Sequence, residues 1–87
     1  MPPKRVDANQ PEIVAALRHA GCSVQHLHEI GRGCGDILVG YRGRNYCLEI
    51  KSAKGKLTPA EAEWHRDWQG HIAIIRTIRE ALAEVGL

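Results

Sequence analysis

The centre of the sequence reads as a β-hairpin, and this feature limits the fold more than any other. An apolar run at 37–39 precedes a turn at 42–45, and a second strand-like segment follows at 46–51. Two such segments joined by a short turn that contains glycine favour antiparallel strands. Because 87 residues can bury only one hydrophobic core, every other element has to pack on this hairpin.

The segments before the hairpin predict a helix and a weak strand. Apolar residues at helical spacing follow Pro11, and Gly21 stands where a helix commonly ends. Residues 23–30 alternate between apolar and polar and are interpreted as a strand. Residues 1–8 are expected to form a flexible N-terminal arm, which leaves 9–87 as one domain.

The segments after the hairpin predict two more helices with a strand between them. Thr58-Pro59-Ala60-Glu61 is a capping box that opens a helix expected to run to about Gln69, and Thr77 opens a third helix in the same way. The apolar run 72–75 is typical of a strand covered on both faces. The predicted fold is therefore α/β, with an α+β mixed sheet and the order α-β-β-β-α-β-α.

Charge is distributed unevenly along the chain. The formal net charge is only +2, which is too small to indicate a nucleic-acid partner by itself. The stretch from Arg32 to Lys56, however, contains six basic and two acidic residues, so its formal charge is +4. The basic stretch overlaps the hairpin and the loop that follows it.

The cysteines and the lack of long apolar runs indicate where in the cell the protein is expected. Cys22, Cys34 and Cys47 are odd in number and form no C-x-x-C pair, which favours a reducing environment. The pattern of Cys22, His26, His28 and Cys34 matches no common zinc spacing. With no signal peptide and no run of about 18 apolar residues, we expect a cytoplasmic protein.

Three charged residues converge at the open end of the predicted hairpin. Asp36 begins one strand, and Glu49 and Lys51 share one face at the end of the other. If Gly40 faces Tyr46, Asp36 falls near Ile50. Carboxylate oxygens suit a hard cation such as Mg²⁺, and the main-chain carbonyl of Ile50 can add a ligand. The pattern alone is weak, because a Glu and a Lys two apart on a strand are commonly a solvated face.

Three segments together resemble a known nuclease domain. Residues 33–39, 48–51 (Leu-Glu-Ile-Lys) and 55–59 (Gly-Lys-Leu-Thr-Pro) resemble the virus-type replication-repair nuclease (VRR-NUC) domain of the PD-(D/E)xK superfamily, in its short stand-alone phage form. The resemblance extends from about Asp7 to Leu82. It implies a restriction-endonuclease-like core. For a phage-encoded member of this family it also implies a bacterial host cell.

The resemblance also implies roles for individual residues. Asp36 and Glu49 would be metal ligands for Mg²⁺, with Mn²⁺ as a substitute, and Lys51 the catalytic lysine. Glu12 matches a helical Glu that reaches the metal site in these nucleases; otherwise it is a surface acid at a helix start. Gly35 stands where the family usually has Pro, and Glu61 where it often has Gln. Whether Glu61 takes part in the site is left open.

Residues expected to contact DNA surround this constellation. Arg32 lies in the glycine loop, and Lys54 and Lys56 flank Gly55 after the catalytic strand, so all three are placed to contact phosphates. His28, just before the glycine loop, is a further candidate. Each of the four has a plain alternative as a solvated surface residue.

The function expected from the sequence is a metal-dependent DNA endonuclease that prefers branched DNA. The short members that the chain resembles look similar to Holliday-junction resolvases, and a homodimer is therefore expected. The alternatives are a flap- or repair-type nuclease, a nucleic-acid-binding module without catalysis, and a small structural protein. Trp64 and Trp68, four residues apart on the second predicted helix, are expected in the core or in a subunit interface.

Overall fold

A computed structural model describes residues 8–87 as three helices and a four-stranded sheet. The predicted flexible arm at 1–8 lies outside the described residues, apart from Ala8. The elements follow the predicted order: α1 (Gln10–His19), β1 (Ser23–His26), β2 (Ile37–Tyr41), β3 (Arg44–Ile50), α2 (Pro59–Asp67), β4 (Ile72–Ile75) and α3 (Ile78–Glu84).

The sheet is mixed, as the sequence predicts. Its strand order is β1-β2-β3-β4, with antiparallel pairing from β1 to β3 and parallel pairing between β3 and β4. A parallel pair needs a long crossover connection, and α2 supplies it. Among residues 8–87, no helix combines the length and the apolar character needed to cross a bilayer.

The hairpin turn is two residues shorter than the predicted turn at 42–45, and the register is shifted by one residue. Tyr41 pairs with Arg44, so the turn consists of Arg42 and Gly43, whose φ angles are 50° and 79°. Positive φ at both central residues is what a type I′ turn requires, and this turn matches the twist of the strands. Gly40 therefore pairs with Asn45, and the predicted pairing of Gly40 with Tyr46 is wrong.

The core lies between the sheet and the pair α1 and α3. One face of α1 and alternate residues of β2 and β3 are fully buried, because strand side chains point to opposite faces in turn. The core cluster consists of Ile13, Val14, Leu17, Cys22, Ile37, Val39, Leu48, Ile50, Ile75, Ala81 and Val85. Cys22 is buried among these side chains and acts as a small apolar residue of the core.

Two predictions about strands are wrong at the edges of the sheet. β1 ends at His26 instead of Ile30, because the Leu27 N–H donates to the Asp36 carbonyl and a turn follows in which the Ile30 N–H donates back to Leu27. β4 is not covered on both faces, since it is an edge strand and Ile74 is 41% exposed.

Both later helices begin at the predicted threonines. Thr58 accepts a hydrogen bond from the Glu61 N–H while the Glu61 carboxylate accepts one from the Thr58 N–H, which completes the capping box of α2. At α3, Thr77 accepts from the Glu80 N–H, whereas the Glu80 carboxylate bonds to the N–H of Arg76. α2 ends at Asp67, two residues before the predicted Gln69.

The burial of Leu48 generates a prediction about stability. Leu48 is fully buried at the centre of the sheet, so Leu48→Ala removes apolar contacts and leaves a cavity. We expect a loss of about 2–5 kcal/mol in the free energy of unfolding, measured by urea denaturation. Ile30, 65% exposed, is the matched control, and Ile30→Ala should change stability by no more than about 0.5 kcal/mol. Equal effects of the two variants would contradict the described core.

Candidate active site

Four charged side chains are buried at the end of the sheet where β3 stops. Asp36 is 2% exposed, Glu49 0%, Lys51 8% and Glu61 2%. Charged residues are almost never this buried unless they are paired or serve a site. The three residues of the predicted constellation therefore lie in one buried region, together with Glu61, whose participation the sequence left open.

Asp36 is held by the backbone of β3. Its N–H donates to the Leu48 carbonyl, and its Oδ2 accepts a hydrogen bond of 2.6 Å from the Ile50 N–H. The prediction that Asp36 falls near Ile50 is thus confirmed, despite the shifted register. Gly35 precedes it at a crowded point, because a Cβ at position 35 would lie 2.6 Å from Cys47 Sγ. With Cys47 in this position, a proline at 35 would not fit.

Lys51 connects the end of β3 to the start of α2. Its Nζ lies 2.6 Å from Glu61 Oε1 and 3.8 Å from Glu49 Oε2. Glu61 Oε1 also accepts the Thr58 N–H at 2.8 Å, so one oxygen both caps the helix and pairs with the lysine. The side chain that the sequence explained as a capping acid is therefore a direct partner of the proposed catalytic lysine.

His65 is a site residue that the sequence reasoning missed. Its Nε2 lies 3.4 Å from Glu49 Oε1, and its side chain is only 13% exposed. His65 comes four residues after Glu61 on α2, and residues at this spacing share a helix face. Once Glu61 was a candidate, this spacing could have identified His65.

Asn9 attaches the start of α1 to the same region. Its Nδ2 donates to the Lys51 carbonyl at 3.0 Å and to the Arg76 carbonyl at 3.1 Å. The amide thus joins the first helix to the ends of β3 and β4. No local sequence pattern indicates this role, because both partners are more than 40 residues away along the chain.

The buried charged groups of this region suit a metal ion. Three carboxylates are buried here with Lys51, which is the one buried cationic side chain among residues 8–87. Carboxylate oxygens are the ligands that Mg²⁺ prefers. The donor set therefore fits the expected metal. Residues 8–87 contain no group of three or more His, Cys, Asp or Glu side chains arranged to hold an ion, so water or substrate oxygens would complete the coordination.

The predicted DNA contacts and Glu12 lie at the surface, with one exception. Arg32, Lys54 and Lys56 are exposed, and Glu12 is exposed in the first turn of α1. His28 is half-buried. The roles of these residues, and that of the Ile50 carbonyl as a ligand, stay predictions.

The loop that carries Lys54 and Lys56 has a fixed backbone. The Arg76 guanidinium donates to the carbonyl of Ser52 at 2.6 Å and to that of Gly55 at 2.8 Å. Both lysine side chains extend from this anchored loop, which follows β3 directly.

The glycine loop packs on the N-terminus of α2. Gly33 has a φ of 83°, and a Cβ there would overlap the Ala60 carbonyl. The contact sets the distance between the loop that leads into Asp36 and the helix that carries Glu61. It also brings Arg32, with a φ of 58°, beside the tryptophans of α2.

Trp64 of α2 and Trp68, which directly follows that helix, are stacked but lie outside the core. The rings of Trp64 and Trp68 are 4.7 Å apart and inclined by 14°, and Trp68 is 51% exposed. The tryptophans were expected in the core or in a subunit interface. For Trp68 the first of these two predictions, a place in the core, is therefore wrong.

The surroundings of Cys22 and Cys47 disfavour their thiolate forms. Burial raises the pKa of the Cys22 thiol. Burial also raises the pKa of Cys47, and its neighbour Cys34 raises it further. Because the thiolate is the reactive form, Cys22 and Cys47 are poor nucleophiles at neutral pH.

Comparison with solved structures identifies the fold. The chain superimposes on a structure described as a VRR_NUC domain with a TM-score of 0.67 and 20% sequence identity, over 93% of this chain and 100% of that one. Comparison with protein-family models finds no match, and neither does comparison with curated protein sequences. The chain therefore has the VRR_NUC domain fold, as the resemblance of its motifs implied.

The double role of Glu61 leads to a prediction. Glu61→Ala removes the helix cap and the closest partner of Lys51, so we expect a loss of about 2–4 kcal/mol in unfolding free energy. Glu61→Gln should cost less, because its amide oxygen can still accept the Thr58 N–H. Urea denaturation of both variants gives the two values. Glu63→Ala, an exposed change on the same helix, is the control; a Glu61→Ala loss no larger than that of the control would contradict the paired geometry.

Proposed function

We propose that this protein is a metal-dependent endonuclease that hydrolyses phosphodiester bonds in DNA. The proposal rests above all on the cluster of Asp36, Glu49 and Lys51, buried together at the end of a sheet with the VRR_NUC fold. A structural protein has little reason to gather charged side chains in its interior, because burying charge is unfavourable. Carboxylates beside a lysine are a chemically suitable set for binding a cation and a phosphate substrate.

Each side chain of the region has a proposed task. Asp36 and Glu49 would hold the ion, which when bound lowers the pKa of its water and polarises the phosphodiester. Lys51 would orient the attacking water or stabilise the charge that develops on the phosphate. Glu61 would position the Lys51 ammonium, and His65 would orient the carboxylate of Glu49.

Exposed basic residues near the site support DNA as the substrate. Arg32 lies in the loop before Asp36, and Lys54 and Lys56 lie in the loop after Lys51. These side chains would contact phosphates on either side of the scissile bond and position the strand without reading its sequence. Arg42 and Arg44, at the far end of the hairpin, are too remote along the strands for this task.

Branched DNA and a homodimeric protein are the finer parts of the proposal. A domain of 87 residues offers little surface to grip a branch, and a second copy would double it. Exposed apolar side chains favour such a contact: Leu38 and Ile74 are 38% and 41% exposed on the sheet face away from α1, and Trp68 is 51% exposed.

The first test of the proposal compares cleavage with metal binding. Asp36→Asn should reduce cleavage of branched DNA in Mg²⁺ by at least about 100-fold, because it removes a ligand charge while the amide oxygen can keep the bond to the Ile50 N–H. Mg²⁺ should raise the melting temperature of the wild type and not that of the variant.

Asp67→Asn is the matched control for this test, since Asp67 is an exposed carboxylate. It should cleave as the wild type does. Cleavage by Asp36→Asn and Lys51→Met at the wild-type rate would show that the proposed site is wrong. DNA binding with no cleavage in Mg²⁺ or Mn²⁺ would instead favour a binding module without catalysis.

The second test maps the cuts. On a labelled four-way junction in Mg²⁺, a dimer with two equivalent sites should produce paired cuts related by symmetry, and light scattering should give twice the mass of one chain. A single cut at a flap together with a monomeric mass would favour a repair-type nuclease and contradict the dimeric resolvase.

A further inference from the structure

Arg76 lies beside the candidate active site, and no sequence pattern singles it out. It directly follows β4, the strand that pairs in parallel with β3. The Lys51 N–H donates to the Ile75 carbonyl at 3.0 Å, and the Asn9 amide donates to the carbonyls of both Lys51 and Arg76. Both of these carbonyl oxygens therefore lie within 3.1 Å of one nitrogen, which places the backbone of Arg76 next to that of Lys51.

The side chain of Arg76 reaches the loop that follows Lys51. Its Nη1 donates to the Ser52 carbonyl at 2.6 Å and to the Gly55 carbonyl at 2.8 Å, with a longer contact of 3.5 Å to the Ala53 carbonyl. Gly55 in turn packs on the lysine, because a Cβ at position 55 would lie 3.5 Å from the Cβ of Lys51. Short hydrogen bonds therefore hold the guanidinium close to the proposed catalytic lysine.

Part of the hydrogen-bonding capacity of this guanidinium is not used by the protein. Only Nη1 bonds to the chain, and Nε and Nη2 make no hydrogen bond within residues 8–87. The Arg76 side chain is half-buried, and neither nitrogen is among the fully enclosed polar atoms of the described residues. The N–H donors on Nε and Nη2 are therefore open to solvent, where a ligand can reach them.

The positive charge of Arg76 is not paired with a carboxylate. The acceptors of Nη1 are main-chain carbonyls, which carry no net charge. Glu80 bonds to the backbone N–H of Arg76, and no ion pair within residues 8–87 includes the guanidinium. A charged guanidinium with accessible N–H donors is the group that proteins commonly use to bind phosphate.

We propose that Arg76 binds a DNA phosphate next to the scissile bond, an inference that rests on the proposed function. The main-chain carbonyls fix the guanidinium before DNA arrives, so less side-chain entropy is lost when the phosphate binds. Its Nε and Nη2 groups would form the paired hydrogen bonds that suit a phosphate. Lys54 and Lys56, exposed on the same anchored loop, would contact neighbouring phosphates as flexible point charges.

The alternative is that Arg76 acts only by supporting the loop. Its loss would then loosen residues 52–55 and weaken the contacts of Lys54 and Lys56, although Arg76 itself would not touch DNA. The two roles differ in a protein that lacks both lysines. There a loop support has no basic side chain left to position, whereas a phosphate ligand still contributes to binding.

The test measures DNA binding in EDTA, so it does not depend on cleavage. Fluorescence anisotropy of a labelled four-way junction is recorded over a series of salt concentrations. Arg76→Gln is compared with its parent, which carries Lys54→Ala and Lys56→Ala. We expect binding at least about 5-fold weaker at low salt, and a plot of log K against log salt whose slope is smaller by about 0.7–0.9, as the loss of one phosphate contact requires.

Two further variants control this comparison. Arg76→Lys keeps the charge and should keep the salt slope, but it should lose affinity because an ammonium has no fork of N–H groups. If Arg76→Gln fails to fold, Arg76→Lys carries the test, and an affinity equal to that of its parent would overturn the proposal. Arg44→Gln removes an exposed arginine at the far end of the hairpin, and screening over this distance should keep its effect below about 2-fold.

The outcomes separate this inference from the proposed function. If Arg76→Gln binds as tightly as its parent without the lysines, Arg76 is a loop support and the inference is wrong, whether or not the protein cleaves DNA. If the variant loses affinity and slope while the wild type shows no cleavage in Mg²⁺, the phosphate contact stands and the catalytic proposal fails. No binding of the junction by the wild type at low salt would overturn both.

Discussion

The contact between Lys51 and Glu61 is the interaction on which the site depends. It joins the last residues of the central strand to the first turn of α2, and the same carboxylate oxygen caps that helix. Local chemistry that starts a helix is thereby used to hold a charged side chain at a defined position. The helix in turn brings His65 to Glu49, so one ion pair orders both sides of the region.

Burying several charged side chains is costly for so small a core. The apolar cluster of α1, α3 and the sheet offsets that cost. Buried charge that works against folding is a common property of functional sites. We therefore interpret the buried charged cluster as the mark of a functional site.

Much of the fold could be predicted from the sequence, because it depends on local signals: the hydrophobic period, capping residues and turn residues. The predictable features are the order of elements, the mixed sheet, the start of each helix and the convergence of Asp36 with the end of β3. The register of the hairpin could not be predicted, since it depends on the positive φ of Arg42, which a reading of residue types does not specify. The contacts of His65 and Asn9 could not be predicted either, because their partners are 16 or more residues away in the chain.

What the sequence by itself determined is which residues carry charge and where helices and strands begin, because these follow from side-chain chemistry and short-range spacing. What only the tertiary structure decided is which charges become buried together. Burial depends on how α2 crosses between β3 and β4 and how closely Gly33 lets it approach the glycine loop. That packing turned Glu61 from a capping acid into the partner of Lys51.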